Sequence, residues 1–393
     1  MLSNTSGSAG LLSLPPGVLA DHGGFRFDGS FVPGRSLHDR RGHGGRGRLR
    51  VVNFVALSGS AGIWGPATTN SALLAASEIN ARGGILGREV EVIFRDAGCA
   101  IEDVVEEARD IIAAGDADVV TGSHTSAVRV ALRDVVAGQV PYIYTPVYEG
   151  GERTRGVVAI GETPDKQSRP AIQWLANHKR ASRWYLIGSD YVWPWQSHRS
   201  VKDYIIEAGG RIVGEEFVPM GSHDHDGCIS RIRAARPDVV VISLIGNDSV
   251  IFNRAFAESG LASRMLRLGG AMDETILLGI GAENSENLFC ASGYFLETAS
   301  RANDTFLSDY YRAFGRHAAP PGSVGQSNYE GLRFLETAAR QAQSLDAVAI
   351  AVAAHNTVYH GARGPVHLRG GEAHMPMYLA QADGLDFRVI ARF

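Results

Sequence analysis

From Leu49 onwards the sequence alternates short apolar segments with amphipathic ones, and this alternation constrains the fold most strongly. The segments RLRVVNFVAL, ADVVTGS, VPYIYTP, RWYLIGSD and DVVVISLIG are typical of strands, and helical segments such as EDVVEEARDIIAAG lie between them. Strands that alternate with helices indicate βαβ crossovers, and therefore parallel sheets covered by helices. The strands are too many for one comfortable sheet. We therefore expect an α/β fold with two doubly wound parallel-sheet lobes.

The segment Leu73–Asp96 is the most specific unit in this series. Ala72, Ala76 and Ile79 fall on one face of a helix. The glycine pair that starts at Gly83 ends this helix, because glycine accepts the left-handed cap conformation at little cost. The following VEVIFRD alternates apolar and polar residues with the period of a strand. The segment therefore predicts a helix, a tight turn and a strand.

The strand series predicts that the chain crosses three times between the two lobes. The crossings are expected near Gly161–Pro170, near Cys290–Ser292 and around Ala351–Arg369. Lobe 1 would then comprise residues 50–164 and 292–350, and lobe 2 residues 165–291 and 351–393. Residues 1–49 are rich in glycine and arginine without periodicity, which predicts a disordered tail. A small anion-binding arm is the alternative interpretation of this segment.

Composition excludes several classes of protein. The 393 residues carry a formal net charge of −4, so direct binding of nucleic acid is not expected. No apolar run approaches the roughly 18 residues of a membrane-spanning helix, which predicts no membrane insertion. Residues 1–10 contain no Lys or Arg, and Pro15 and Pro16 interrupt the next apolar run. This is unlike a signal peptide and predicts a cytoplasmic location, with an extracytoplasmic one as the alternative if the start is wrongly assigned.

Motifs for catalysis, cofactors and metals are weak or missing. The sequence contains no GxxxxGK[ST] phosphate loop and no GxSxG nucleophile elbow, and SGSAGIWG is a poor dinucleotide motif. The segment HDHDGC, from His223 to Cys228, resembles a metal site, but turn and helix-capping chemistry explains its acids better. We therefore predict no catalytic residue, no cofactor and no metal.

Polar and aromatic residues follow several of the predicted strands. Open parallel sheets bind ligands beyond the carboxyl ends of their strands, and helix N-termini there offer free N–H groups. The strands ADVVTG, VPYIYTP, YLIGSD and LRLGG lead into seven candidate ligand-binding residues. These candidates are His124, Ser126, Tyr144, Pro146, Tyr191, Trp193 and Asp273. Ordinary turn chemistry or packing is the alternative explanation for some of them.

Several of these motifs together resemble one family. EINARGGILGREVEVIFRD and VVTGSHTSAVRVAL are similar to segments of type I periplasmic solute-binding proteins of the Leu/Ile/Val-binding type. YEG at 148–150 and GSDYVWPWQS look like the urea and short-amide subgroup, which includes the cytoplasmic amide sensor of amidase operons. GPVHL at 364–368 resembles a closing motif near the C-terminus. The resemblance covers roughly residues 50–393.

The resemblance implies a non-enzymatic protein whose two lobes, joined by a three-strand hinge, close on a small ligand. By residue matching, Ser126 would bond the ligand on lobe 1 while Tyr191 and Trp193 close over it from lobe 2. Asp273 lies near the acid that amino acid binders use for the ammonium group. His124 and Pro146 depart from the amide sensor's pattern, so urea, a short amide and an amino acid all stay open as ligands.

The resemblance also implies two kinds of partner. A substrate-binding protein of an ABC-type transporter would deliver its ligand to a permease. A cytoplasmic amide-sensing regulator would instead act through a regulatory protein. An amidohydrolase is a third hypothesis, which requires Ser126 to be activated, with His124 as its nearest base.

Overall fold

The structure is a computed structural model that describes residues 47–393. The tail predicted at residues 1–49 lies outside the described residues except for its last three. Leu49, the last of them, begins the first strand.

Strands and helices alternate along the described chain as predicted. The strands are β1 (Leu49–Val55), β2 (Val90–Asp96), β3 (Val119–Ser123), β4 (Tyr142–Tyr144), β5 (Val157–Ala159), β6 (Arg183–Ser189), β7 (Arg211–Val218), β8 (Val239–Ser243), β9 (Leu266–Gly269), β10 (Leu288–Ser292), β11 (Val358–Gly361), β12 (Gly364–Arg369), β13 (Glu372–His374), β14 (Tyr378–Asp383) and β15 (Asp386–Arg392). The helices are α1 (Gly65–Ala81), α2 (Ile101–Ala114), α3 (Ser126–Val136), α4 (Pro164–Lys179), α5 (Val192–Glu207), α6 (Asp226–Ala235), α7 (Gly246–Glu258), α8 (Glu274–Ile280), α9 (Arg301–Phe314), α10 (Gly322–Ala342) and α11 (Ala347–Ala354). A 3-10 turn at Ser60–Trp64 precedes α1.

Lobe 1 is built on a five-stranded sheet in the order β2-β1-β3-β4-β5, and all of its neighbouring strands are parallel. The late helices α9–α11 pack with α1 in the core of this lobe. Asn53 in the middle of β1 donates a hydrogen bond of 3.3 Å to Asn328 on α10. Lobe 1 is therefore closed by segments from opposite ends of the described chain.

The predicted helix, turn and strand at Leu73–Asp96 are confirmed. After α1, Gly84 has a φ of +74°, and a Cβ there would lie 1.9 Å from the backbone oxygen of Arg88. Only glycine fits such a turn. The side chain of Asn80 donates to the Val90 oxygen and accepts from the Val90 nitrogen, at 2.9 and 2.7 Å. The amide thus ties the end of the helix to the start of the strand.

Lobe 2 contains a seven-stranded sheet in the order β15-β14-β10-β9-β8-β6-β7. The strands β6–β10 pair in parallel, whereas β14 and β15 add an antiparallel edge. The predicted α/β fold with two lobes is confirmed, and this antiparallel edge refines it. The hydrophobic alternation of the C-terminal residues gives strands but not their direction.

The chain passes between the lobes at residues 160–163, 293–300 and 375–377. The boundary predicted at residue 351 falls within α11, whose Ile350 and Ala354 are fully buried in the lobe 1 core. The small antiparallel sheet β11-β12-β13 also contributes Tyr359, Val366 and Leu368 to that core. Residues 351–374 therefore pack with lobe 1. Within residues 47–393, no helix has both the length and the apolar character to cross a membrane.

Candidate functional site

A small cavity lies between the two lobes, where strands of both sheets end. Its volume is about 50 Å³. Lobe 1 lines it with Ala56, Ala61, Trp64, Thr68, Ser123, His124, Thr125, Ser126, Tyr144, Pro146, Val147 and Val324. Lobe 2 lines it with Tyr191, Trp193, Ile245 and Ala271. This lining contains no Asp, Glu, Lys or Arg, so the cavity carries no formal charge, and its surface is mainly apolar and aromatic with a few polar atoms.

Three buried polar atoms of the lining have no hydrogen-bond partner among the described residues. They are the hydroxyls of Ser123 and Ser126 and the indole nitrogen of Trp193. A buried polar atom without a partner costs about 1–3 kcal/mol. The Ser126 hydroxyl lies near the Tyr144 phenol without completing a hydrogen bond to it. A ligand with matching polar groups would recover this cost.

The N-termini of three helices meet at the cavity. Ser126 is the first residue of α3, Tyr191 precedes α5 and Ile245 precedes α7. Each follows closely after a parallel strand, which brings the three helix ends to the same side of their sheets. Helix N-termini carry partial positive charge and free N–H groups. The cavity therefore favours a carbonyl, amide or carboxylate oxygen over a cation.

Both ring nitrogens of His124 contact other residues of the protein. Its Nδ1 lies 3.1 Å from the Thr125 backbone oxygen, and its Nε2 lies 3.0 Å from the Tyr142 hydroxyl. Because a carbonyl only accepts, Nδ1 carries the proton and Nε2 accepts from Tyr142. The Tyr144 hydroxyl donates to the His124 backbone oxygen at 2.8 Å. Burial lowers the pKa of His124 to about 4, so the ring is neutral at physiological pH.

Comparison with known proteins places this fold in a family. A profile described as periplasmic binding protein matches residues 49–386. The chain belongs to the periplasmic binding protein family. The Leu/Ile/Val-binding protein BraC3 of Rhizobium johnstonii is 27% identical over 60% of the chain, and the match spans 62% of that relative's length. Leu/Ile/Val-binding protein homolog 3 of Brucella melitensis is 24% identical over 78% of the chain and 83% of its own length.

Solved structures show the same fold. An ABC transporter solute-binding protein of Rhodopseudomonas palustris, in complex with 3,4-dihydroxybenzoic acid, has a TM-score of 0.77 and 21% identity. It covers 88% of this chain and 97% of its own. The branched-chain amino acid binding protein LivJ of Streptococcus pneumoniae, in complex with isoleucine, has a TM-score of 0.76 and 18% identity over 88% and 98% of the two chains. At these identities the likeness concerns the fold alone.

Six of the seven candidate ligand residues meet at the cavity of this periplasmic binding protein. His124, Ser126, Tyr144, Pro146, Tyr191 and Trp193 all line it. Asp273 is not among the lining residues. It caps α8, and its Oδ1 accepts from the Trp64 indole nitrogen at 2.9 Å and from the Thr275 nitrogen at 3.1 Å. These contacts give its carboxylate a structural role in place of the expected ammonium contact.

Sequence reasoning missed several lining residues. Trp64 belongs to the turn that follows β1, Ile245 follows β8 and Ala271 follows β9. Their position after parallel strands could have indicated a place in the cavity. Because they are apolar, however, the sequence suggested that they belong to the hydrophobic core. Val324 lies at the start of α10, far along the chain, and no local pattern points to it.

The three crossings of this family member meet at a buried ion network. Glu162 of the first crossing accepts from the Gly293 nitrogen of the second at 3.0 Å. Arg363 lies 3.2 Å from the same Glu162 oxygen and 2.6 Å from Glu330 of α10. Its Nη1 also donates to the sulfur of Met375, in the third crossing, at 3.1 Å. The side chains of all three ions are at most 5% exposed. The network anchors the crossings to lobe 1.

The HDHDGC segment has no metal-like geometry. The carboxylate of Asp224 accepts from the backbone nitrogen of Asp226 at 2.9 Å, where α6 begins. Among residues 47–393, no group of three or more His, Cys, Asp or Glu side chains is arranged to hold a metal ion.

Proposed function

We propose that this protein is the substrate-binding protein of an ABC-type transporter and closes its lobes on a small uncharged polar molecule, a urea or a short amide. The observation that carries this proposal is the cavity of about 50 Å³ without a charged side chain. An amino acid would bury an ammonium group there without a carboxylate partner, which is costly. An amide fits better, because its oxygen can accept from Ser126 and Trp193, and hydroxyl and backbone oxygens can accept from its N–H groups.

A carboxylate that lacks an ammonium group is the second candidate ligand. The three helix N-termini and the aromatic walls from Trp64, Tyr144, Tyr191 and Trp193 favour it. The Rhodopseudomonas palustris neighbour was solved with an aromatic acid, which supports including this class in a screen.

The experiment is a thermal-shift screen of the purified chain with acetamide, urea, leucine and benzoate. A ligand that binds only the native state raises stability by about 2.7 kcal/mol at 100 times its Kd. In a chain of this size we expect a rise in Tm of roughly 4 °C. A shift with leucine alone would contradict the proposed ligand class. No shift with any of the four would contradict the assignment of the cavity.

Tyr191→Ala should abolish the shift, because it removes an aromatic wall that lobe 2 contributes. The matched control is Tyr204→Ala on the same helix. Tyr204 lies under the Arg169 guanidinium and does not line the cavity. We expect this control to keep the ligand-induced shift even if its own Tm falls. An unchanged shift in Tyr191→Ala would mean that the ligand binds elsewhere.

The cytoplasmic amide sensor is the alternative function, and location separates it from the transport receptor. A receptor must meet its permease outside the cytoplasmic membrane, whereas a sensor must meet its regulatory partner inside the cell. Fractionation of the native protein tests this directly. Native protein found only in the cytoplasm would contradict the transport proposal.

The amidohydrolase hypothesis is disfavoured by the geometry at Ser126. The only base nearby in sequence is His124, whose two ring nitrogens already bond to Thr125 and Tyr142. Elsewhere Ser243, His198 and Glu215 form a hydrogen-bonded chain, but the His198 side chain is fully buried and none of the three lines the cavity. Hydrolysis of acetamide or urea that Ser126→Ala or Ser243→Ala abolishes would overturn the non-enzymatic assignment.

A further inference from the structure

Two aspartates of lobe 2 accept hydrogen bonds from the turn Ser60–Trp64 of lobe 1. The Ser60 hydroxyl donates to Asp248 Oδ1 at 2.7 Å, and the Trp64 indole nitrogen donates to Asp273 Oδ1 at 2.9 Å. Asp248 lies in the first turn of α7, and Asp273 precedes α8. Both aspartates are at most 1% exposed. Hydrogen bonds to a buried carboxylate are stronger than bonds between neutral groups.

Each carboxylate is also oriented by backbone nitrogens. Asp248 Oδ2 accepts from the Gly221 nitrogen at 2.9 Å, within lobe 2. Asp273 accepts from the Thr275 nitrogen of its own helix and, at 3.4 Å, from the Val324 nitrogen of lobe 1. The bonds from Gly221 and Thr275 therefore hold the acceptors in place before Ser60 and Trp64 reach them, whereas the Val324 bond forms only when the lobes meet. Such preorganisation reduces the entropy lost when the lobes meet.

Backbone packing at the same place is very close. Gly246, the first residue of α7, has a φ of +52°. A Cβ there would lie 1.8 Å from the Ser60 backbone oxygen and 3.0 Å from Ala61 Cα. Only a residue without a side chain lets this helix end approach the lobe 1 turn.

Apolar burial accompanies these polar contacts. Ala61 and Trp64 of lobe 1 belong to one buried cluster with residues of lobe 2, including Ile245, Val250 and Ile276. Burial of apolar area contributes about 25 cal/mol per Å² to association of the two surfaces. The Trp64–Asp273 bond is therefore buried from water, and the Ser60–Asp248 bond is partly buried.

We propose that Ser60, Trp64, Asp248 and Asp273 form an interlobe clasp that stabilises the closed arrangement of the lobes and positions Trp64 as a wall of the cavity. The inference rests on the proposed function only in that the lobes are taken to open and close. Both hydrogen bonds join side chains of opposite lobes and are lost when the lobes separate. The clasp therefore sets the open-to-closed ratio of the free protein, and with it the apparent affinity for any ligand that needs one of the two states.

The test is single-molecule energy transfer on the ligand-free full chain. One dye is attached to the exposed Cys99 of lobe 1, and the other to Ile206→Cys on α5 of lobe 2, where Ile206 is 59% exposed. Cys228 and Cys290 are buried and should not compete. We expect a measurable closed population in this reference protein. Ser60→Ala and Trp64→Phe should each raise the open-to-closed ratio about tenfold, and Gly246→Ala should raise it further.

The matched control is Trp195→Phe. The Trp195 indole nitrogen donates to Asp190 at 3.0 Å, a bond of the same chemistry that stays within lobe 2. This control should leave the open-to-closed ratio within about twofold of the reference. The free energy of unfolding in urea should fall by similar amounts in Ser60→Ala and in the control. The reason is that the clasp changes the relative position of the lobes.

A reference protein without a measurable closed population would overturn the proposal. So would an unchanged ratio in both Ser60→Ala and Trp64→Phe. Because no ligand is used, these outcomes are independent of the screen that tests the proposed function.

Discussion

The cavity and the buried ion network of Glu162, Arg363 and Glu330, here called the hinge network, both contain buried polar atoms, but they are built in opposite ways. At the hinge, buried groups of opposite charge lie within 3.2 Å of each other, Arg363 with Glu162 and Glu330, although Arg363 Nη2 has no hydrogen-bond partner among the described residues. At the cavity, Ser126 and Trp193 keep buried polar atoms without partners, and no charged residue lines the space. The difference separates two tasks. The hinge network stabilises the chain crossings, whereas the cavity leaves uncharged polar atoms available for further hydrogen bonds.

The largest expected effect is at the hinge. Arg363→Met leaves two buried carboxylates without their cation, and breaking a buried pair in this way costs about 3–5 kcal/mol. Urea unfolding should show this loss in free energy. Arg388→Met is the control, because Arg388 and Asp383 are both more than 60% exposed and 3.9 Å apart. That pair should contribute less than about 1 kcal/mol. Equal losses of unfolding free energy in the two variants would mean that the buried network stabilises the protein no more than an exposed ion pair does.

A second test asks whether the cavity really lacks charge. Because burial lowers the pKa of His124 to about 4, the unfolded chain binds a proton near pH 6.5 that the folded chain does not bind. Stability is therefore unaffected above pH 6.5 and falls as the pH drops toward 4. At pH 4.5 the loss from this group should be about 2–3 kcal/mol relative to pH 7.5.

Urea unfolding of His124→Phe at these two pH values measures that loss. The variant should lose less stability than the wild type between pH 7.5 and 4.5, whatever its stability at pH 7.5. His317→Phe, at an exposed position, should keep the wild-type slope. An unaltered slope in His124→Phe would mean that folding does not lower the pKa of this ring.

The smallest expected effect concerns a single hydroxyl. Ser126→Ala removes an atom without a partner, so unfolding stability should change by less than about 1 kcal/mol. Its Kd for acetamide, measured by calorimetry, should nevertheless rise about 5- to 150-fold, the equivalent of 1–3 kcal/mol. Ser259→Ala should show the reverse pattern, because that hydroxyl donates to the Phe256 oxygen at 2.7 Å away from the cavity. If Ser126→Ala lowers the unfolding stability but keeps the affinity for acetamide, the predicted difference between the two serines is wrong.

Local patterns allowed much of the fold to be predicted. The helix, turn and strand around Gly84 were readable because the glycine turn and both periodicities lie within 24 consecutive residues, Leu73 to Asp96. Six cavity residues were predictable because parallel strands bring their carboxyl ends to one edge, so position along the chain implies position in space. These are short-range rules, and they apply wherever an element and its neighbour are close in sequence.

Long-range pairing was not predictable. Glu162 and Arg363 are 201 residues apart, and each taken alone resembles a solvated surface charge. Asp273 was expected to meet a ligand, yet its acceptor capacity is taken up by Trp64, 209 residues away, and by nearby backbone nitrogens. His124 was predicted to bind the ligand and does line the cavity, but the partners of its ring nitrogens, Thr125 and Tyr142, were not predicted. Such partners are determined by packing of the two lobes, which single-sequence patterns do not encode.

The hydrogen bond between Asn53 and Asn328 has a consequence for how the protein is made. These residues lie 275 positions apart, so α10 can cover the first strand only after most of the chain has been synthesised. At about 5–20 residues per second, this delay during synthesis is roughly 14–55 s. Meanwhile the lobe 1 sheet exposes apolar surface to the crowded cell. We therefore expect slow folding of high contact order, and a nascent chain that depends on chaperones until its last quarter emerges.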